Sequence, residues 1–227
     1  MALVVLACLW LPQVEQAQAK PKKTRVAPGA VCRLQAPKVF LMRKSWMKRG
    51  SIQPRAHERA LAWRAERYGH IPGLGLEKYN PESVDKHISA TRFFGLPISI
   101  HEKIVPALAC VERRIKKRCR KTKDRYQPQA IGGRRTNNTF RRGEVSNHMF
   151  GIAIDIDPSR NPCCHCVEPW PQHPSCQKEA ASVYERTELP RCWIRAFRRY
   201  GFYWLGHDQL EDTMHFEFLG NPDRIVP

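Results

Sequence analysis

The sequence predicts an α+β fold: a small antiparallel sheet, helices packed on one side of it, and a loop pinned by disulfides. Three observations carry this. First, Gly151-Ile152-Ala153-Ile154-Asp155-Ile156-Asp157 alternates strictly, with Ile152, Ile154 and Ile156 on one face and Ala153, Asp155 and Asp157 on the other. That is the period of a strand with one buried face. Second, the pattern recurs near the C-terminus, where Met214, Phe216 and Phe218 share one face and His215 and Glu217 the opposite one. Third, two stretches carry apolar residues at helical spacing, Ile104, Leu108, Val111 and Ile115 in the one and Trp193, Ile194 and Phe197 in the other. Helices against one face of an antiparallel sheet make a two-layer α+β domain.

In chain order, residues Ala2 to Leu11 are almost wholly apolar and Ala17-Gln18-Ala19 is an A-x-A cleavage pattern, so 1–19 reads as a secretory signal peptide. The apolar run is too short for a mature membrane span, and no other candidate span follows. Residues 20–85 read as a basic N-terminal extension and linker. Within them Lys20 to Lys38 is irregular, Pro54 to Tyr68 is a short helix with Ala60, Leu61 and Trp63, and Gly69 to Pro81 is a Gly/Pro-rich linker. Residues 86–227 form the main domain, long enough to fold around its own core. There Ser99 to Lys117 reads as an amphipathic helix, and Pro190 to Tyr200 as a second one with Pro190 at its start.

The two alternating strands, laid side by side with their apolar faces down, bring Asp155 next to His215. His148 lies in the approach to the first strand, and Gly151 permits a tight turn between them. Two histidines and a carboxylate suit a catalytic zinc, which keeps a further position for water. Asp212, in the turn entering the second strand, is a spare carboxylate that can take a proton from such a water. The metal ligands expected are therefore His148, Asp155 and His215, with Zn2+ as cofactor and Asp212 as general base. Glu217 and Asp157 share the polar faces and are candidates to orient the histidines. His101 and His207 read as ordinary polar residues.

The pair of segments resembles a known family. S-x-H-x-x-G-x-A-x-D at Ser146–Asp155, followed by D-x-x-H-F-E at Asp212–Glu217, is similar to the zinc D-alanyl-D-alanine carboxypeptidase and L-alanyl-D-glutamate peptidase family of bacterial cell-wall enzymes. The same fold core occurs in the zinc domain of Hedgehog signalling proteins. Tyr200-Gly201-Phe202-Tyr203-Trp204 resembles the aromatic element before the last ligand, and the likeness spans Ile98 to Leu219. The resemblance implies the same ligands and base, and a substrate-binding role for Ser146. It also implies an arginine that stabilises developing charge or holds a substrate carboxylate. Gly132-Gly133-Arg134-Arg135 and Arg141-Arg142 offer candidates, of which Arg135 is favoured. The implied substrates are peptidoglycan peptides, cut by D,D-carboxypeptidase or related L,D- or endopeptidase action. A non-catalytic zinc-containing envelope-binding module is the alternative, as the Hedgehog relationship allows. A metal-free envelope-binding protein is a third reading.

Of nine cysteines, Cys8 falls within the signal peptide. The other eight, Cys32, Cys110, Cys119, Cys163, Cys164, Cys166, Cys176 and Cys192, read as disulfides in an exported chain, secreted or periplasmic. Their connectivity stays open. Cys163-Cys164-His165-Cys166 with His173 and Cys176 is the rival, a second zinc site, though its spacing fits no common zinc module. The formal net charge is +18, which implies an anionic partner. The basic residues are spread widely and form no nucleic-acid module, so anionic envelope polymers are the expected partner and nucleic acid is not.

Overall fold

The computed structural model describes residues 32–121, 124–138, 143–167 and 169–224. The signal-peptide reading and Arg141-Arg142 fall outside these. None of the described helices is long and apolar enough to cross a membrane.

The elements run α1 (Arg43–Trp46), β1 (Met47–Lys48), β2 (Ser51–Ile52), α2 (Pro54–Tyr68), β3 (Ile88–Phe93), β4 (Leu96–His101), α3 (Val105–Arg118), β5 (Ile131–Gly132), β6 (Ala153–Ile156), α4 (Pro174–Gln177), α5 (Arg191–Arg199), β7 (Phe202–Trp204) and β8 (His215–Phe218). The main sheet has four strands in the order β5-β6-β8-β7, every neighbouring pair antiparallel. β1–β2 and β3–β4 are separate two-stranded ladders. The fold is thus α+β with small antiparallel sheets, as the alternating patterns require.

Alternation explains the layering. Ile152, Ile154, Ile156, Phe216 and Phe218 are fully buried in one core with Trp193, Ile194 and Phe197 of α5. Phe197 stacks on Phe216, ring centroids 4.1 Å apart. Burying each such side chain contributes about 1.5–3 kcal/mol relative to exposure, so the apolar face fixes the register. A slip of one residue would turn Asp155 and His215 into this core.

Two parts of the sequence reading need correction. The helix expected over Ser99 to Lys117 begins only at Val105. Residues up to His101 form the second strand of a hairpin, and a 3-10 turn, Glu102–Ile104, joins strand to helix. Pro106 marks the true start, because proline fits the first helical turn, where no N–H partner is needed. The second correction concerns Gly69 to Pro81. It is not a bare linker: Ile71 and Leu76 are buried in the main core, and His70 N–H donates to Glu82 O at 2.9 Å. The helix read over Pro54 to Tyr68 has those bounds. Its Ala65 and Tyr68 enter the main core, while Ala60 joins a second core with Leu41, Trp46, Tyr203, Leu205 and Leu219.

The eight described cysteines pair at disulfide distance: Cys32–Cys110, Cys119–Cys192, Cys163–Cys166 and Cys164–Cys176. The first ties the N-terminal segment to α3, and the second ties α3 to α5. The last two cross-link the loop after β6. The second zinc site is not formed. His173 turns away, with Nε2 donating to Ser159 O and Nδ1 accepting from Ser175 N–H.

Candidate metal centre

Strand register places the first two residues of the site. β6 and β8 pair so that Asp155 faces His215 directly. The third comes from a 3-10 turn, Asn147–Phe150, whose N-cap is Ser146. Gly151 ends that turn at φ +67°, a left-handed conformation that L side chains rarely adopt. A Cβ there would also lie 2.7 Å from Ile88 Cδ1 and 2.9 Å from His101 N. The glycine lets the chain reverse tightly from His148 into β6.

The three side chains meet. His148 Nε2 lies 3.0 Å from Asp155 Oδ2 and 3.1 Å from His215 Nδ1, and His215 Nδ1 lies 2.8 Å from Asp155 Oδ1. Their outward nitrogens decide what the inner ones offer. His148 Nδ1 faces Gly133 O at 2.5 Å, and a carbonyl can only accept, so this nitrogen carries the hydrogen. His215 Nε2 likewise faces Glu217 Oε1 at 3.2 Å. With both N–H groups spent outward, two imidazole lone pairs and a carboxylate converge on one point. Three acceptors at that separation repel one another unless a positive charge lies among them. The donor set, His, Asp and His, is one zinc takes. These residues therefore fit a bound zinc ion.

Electrostatics agree with that demand. Burial pushes the Asp155 carboxyl up, but the charges and hydrogen bonds of His148 and His215 outweigh it and hold it well below the usual range. Burial lowers His215, yet the Asp155 charge with the Asp155 and Glu217 hydrogen bonds lifts it well above an ordinary histidine. His148 is pushed down, chiefly by burial. The cluster thus captures a positive charge even as a bare proton, which a metal cation would replace.

Asp212 sits in the turn before β8. The turn is clamped on three sides: Cys163 bridges Asp212 in antiparallel pairing, Thr213 Oγ1 donates to Pro162 O at 2.8 Å, and Trp204 Nε1 donates to Thr213 O at 2.8 Å. The Asp212 carboxyl is buried, and its Oδ1 has no hydrogen-bond partner. Burial raises its pKa to about 7, opposed by the His215 charge and reinforced by Asp155 and Glu217. Cys163, Cys166 and Asp212 also cluster, but the two sulfurs are bonded to each other and offer no thiolate.

The other expected residues divide. Arg135 lies close enough for its charge to act on both His148 and Asp212, and its backbone N–H donates to His148 O at 3.2 Å. Arg134 is engaged elsewhere, donating to Asp85 Oδ1 at 2.6 Å. Ser146, expected at the substrate, is fully buried; its hydroxyl accepts from His148 N–H at 3.3 Å and so sets the turn that carries His148. Glu217 orients His215, as its position on the polar face suggests. Asp157 does not orient a histidine. It adopts φ +44°, leaves the strand, and accepts from Gln129 N–H, Ala130 N–H and the Tyr126 hydroxyl, so it anchors the preceding loop.

Sequence reasoning missed three contributors. Gly133 supplies only a carbonyl, and Asn147 a side-chain hydrogen bond to Glu217. Arg64, fully buried on α2, lowers the Glu217 pKa through its charge. A backbone group and a distant arginine leave no local mark in the chain.

Residues 140–218 match the family model described as D-alanyl-D-alanine carboxypeptidase. The resemblance read from the paired motifs is to this family. The match runs from just before Ser146 to just past Glu217, so it contains the three clustered residues and Asp212. It is shorter than the span from Ile98 read on the sequence, and it leaves out Arg135 and the β3–β4 hairpin. No curated protein and no solved structure matches the chain.

Proposed function

We propose that the chain is an exported zinc metallopeptidase that hydrolyses peptide bonds in bacterial cell-wall peptides. The convergence of two histidine lone pairs and the Asp155 carboxylate beside the unpartnered carboxyl of Asp212 carries this reading. The carboxypeptidase family match over the same residues supports it.

His148, Asp155 and His215 hold the ion; when bound, zinc supplies a Lewis acid and lowers the pKa of water. Asp212 Oδ1 accepts the proton of the attacking water and later delivers it to the leaving amine. Burial raises the pKa of this carboxyl in the metal-free site; the charge of a bound ion would lower it again and favour the ionised form that accepts the proton. The Arg135 guanidinium balances negative charge on the substrate or the tetrahedral intermediate. The Gly133 carbonyl holds the His148 ring from behind and Glu217 holds the His215 ring, and each fixes the tautomer that leaves a lone pair inward, while Ser146 holds the His148 backbone. The cysteine pairs agree with the secreted or periplasmic location.

A binding module without catalysis would need the three ligands but no buried, unpartnered acid beside them. The experiment is digestion of purified peptidoglycan followed by mass spectrometry of the fragments. Loss of a terminal D-alanine marks D,D-carboxypeptidase action, and internal cleavage marks an endopeptidase. Unchanged wall peptides with zinc-loaded protein would overturn the enzyme in favour of the binding module.

A further inference from the structure

Helices α3 and α5 lie against each other and are joined by the Cys119–Cys192 disulfide. Four arginines project from their neighbouring turns: Arg114 and Arg118 from α3, Arg195 and Arg199 from α5. They line one cleft of about 300 Å³, floored by Cys119, Cys192 and Ala196. Both pairs are one helical turn apart, so each helix presents its two guanidiniums on the same side.

Some arginines elsewhere are held in ion pairs, while others among the described residues, such as Arg113 and Arg198, stand singly on exposed helix positions. Arg43 is paired with Glu144 and Asp208, Arg134 with Asp85, Arg160 with Asp157 and Glu188, and Arg186 with Glu211. No acidic side chain lines the α3–α5 cleft. Among the described residues, none of its four guanidiniums has a hydrogen-bond or ion-pair partner. With 39 Lys and Arg against 21 Asp and Glu, some cations must stay unpaired, and a solvated basic face would account for scattered ones. It does not account for four that converge on one concavity from two elements, where like charges repel.

The lining also narrows the ligand. Guanidinium forks match phosphate oxygens two at a time. Several cations in one cleft suit several anionic groups along a chain better than one. Single-stranded nucleic acid would call for rings on which bases stack, and the lining holds no aromatic side chain. We propose that the α3–α5 cleft binds a linear polymer of closely spaced phosphate groups that carries no bases. This does not depend on the peptidase reading.

The test is binding of the full chain to linear polyphosphate, to poly(glycerol phosphate), to inorganic phosphate and to single-stranded DNA, over a range of salt. The probe variant is Arg114→Gln/Arg195→Gln, one arginine from each helix. The control is Arg113→Gln/Arg198→Gln, which removes the same charge from exposed positions of the same helices outside the cleft. All four side chains are at least partly exposed, and thermal melting checks that both variants remain folded. One or both phosphate chains should bind, and the stronger of the two names the source. The cleft variant should lose about tenfold or more relative to the control. Its slope of log affinity on log salt should fall by about two, one for each phosphate that is no longer neutralised. An equal loss in the control would reduce the effect to overall charge and overturn the site. So would inorganic phosphate binding as tightly as the chains, or DNA binding as tightly as either.

Discussion

Buried histidines occur in two settings in this molecule, and the settings differ in how the two ring nitrogens are partnered. His101, at the end of β4, is fully buried, its Nε2 donating to Tyr68 O at 3.0 Å and its Nδ1 accepting from Lys103 N–H at 3.1 Å. Both nitrogens are satisfied by backbone groups, one as donor and one as acceptor. A neutral ring is complete there, and burial drives its pKa down to about 3. His148 and His215 are buried as deeply, but each has only its outward nitrogen satisfied by an acceptor. Their inward nitrogens meet each other and Asp155. Burial alone does not mark a functional histidine; an unmatched lone pair does.

Removing a ligand should break the comparison most severely. The protein should carry about one zinc per chain, and His148→Ala or His215→Ala should lose both the metal and hydrolysis. Full zinc content in either variant, read by elemental analysis, would sink the ligand assignment. Asp212→Asn comes next. Asn keeps the size of the side chain but cannot take the proton, so zinc should stay while the rate falls about 10²–10⁴-fold. Near-normal turnover would hand the role to another group, and lost zinc would make Asp212 a ligand or a support.

Glu217→Ala removes the acceptor that keeps the His215 hydrogen outward. Such outer partners are worth about 10–100-fold in metal affinity, and Glu217→Gln, which retains an acceptor oxygen, should lose less. Competition against a zinc chelator measures it. An unchanged affinity in Glu217→Ala would show that register with Asp155 suffices to orient the ring.

The cluster and its strands were legible because both are short-range patterns. Alternation fixed which face of β6 and β8 is polar, and equal alternation on two strands put Asp155 opposite His215. The β3–β4 hairpin was missed because Ile98, Ile100, Ile104 and Leu108 run on without a break, and helical spacing absorbed the strand's last residues. Pro106 was the available signal. Asp157 continues the strand's alternation on paper, yet its positive φ takes it out of the strand. The Cys pairings, the Gly133 carbonyl and Arg64 depend on which distant segments pack together, which no local period encodes.

The smallest expected effect separates the two histidine settings through pH. Because His101 has a folded pKa of about 3 against an ordinary 6.5, the unfolded chain binds the proton first. Above pH 6.5 the ring is neutral in both states and contributes nothing to the dependence. As pH falls below 6.5 stability drops, and the loss runs on until about pH 3. Each pH unit costs about 1.4 kcal/mol, so at pH 5 the loss is about 2 kcal/mol. His87 stacks on the ring at 5.5 Å, and its charge with that of Lys103 pushes in the same direction. His101→Asn retains a short side chain that can accept from Lys103 N–H but cannot titrate. It should be less stable than the parent at pH 7.5, since the ring's packing against Tyr68 and His87 is lost, yet its stability should fall less steeply between pH 6.5 and 5. Urea unfolding of both proteins across that range reads the difference in slope. Parallel curves would mean that other buried groups, His57 and His207 among those pushed down by burial, carry the acid sensitivity, and that the His101 ring is not held neutral by its two backbone partners.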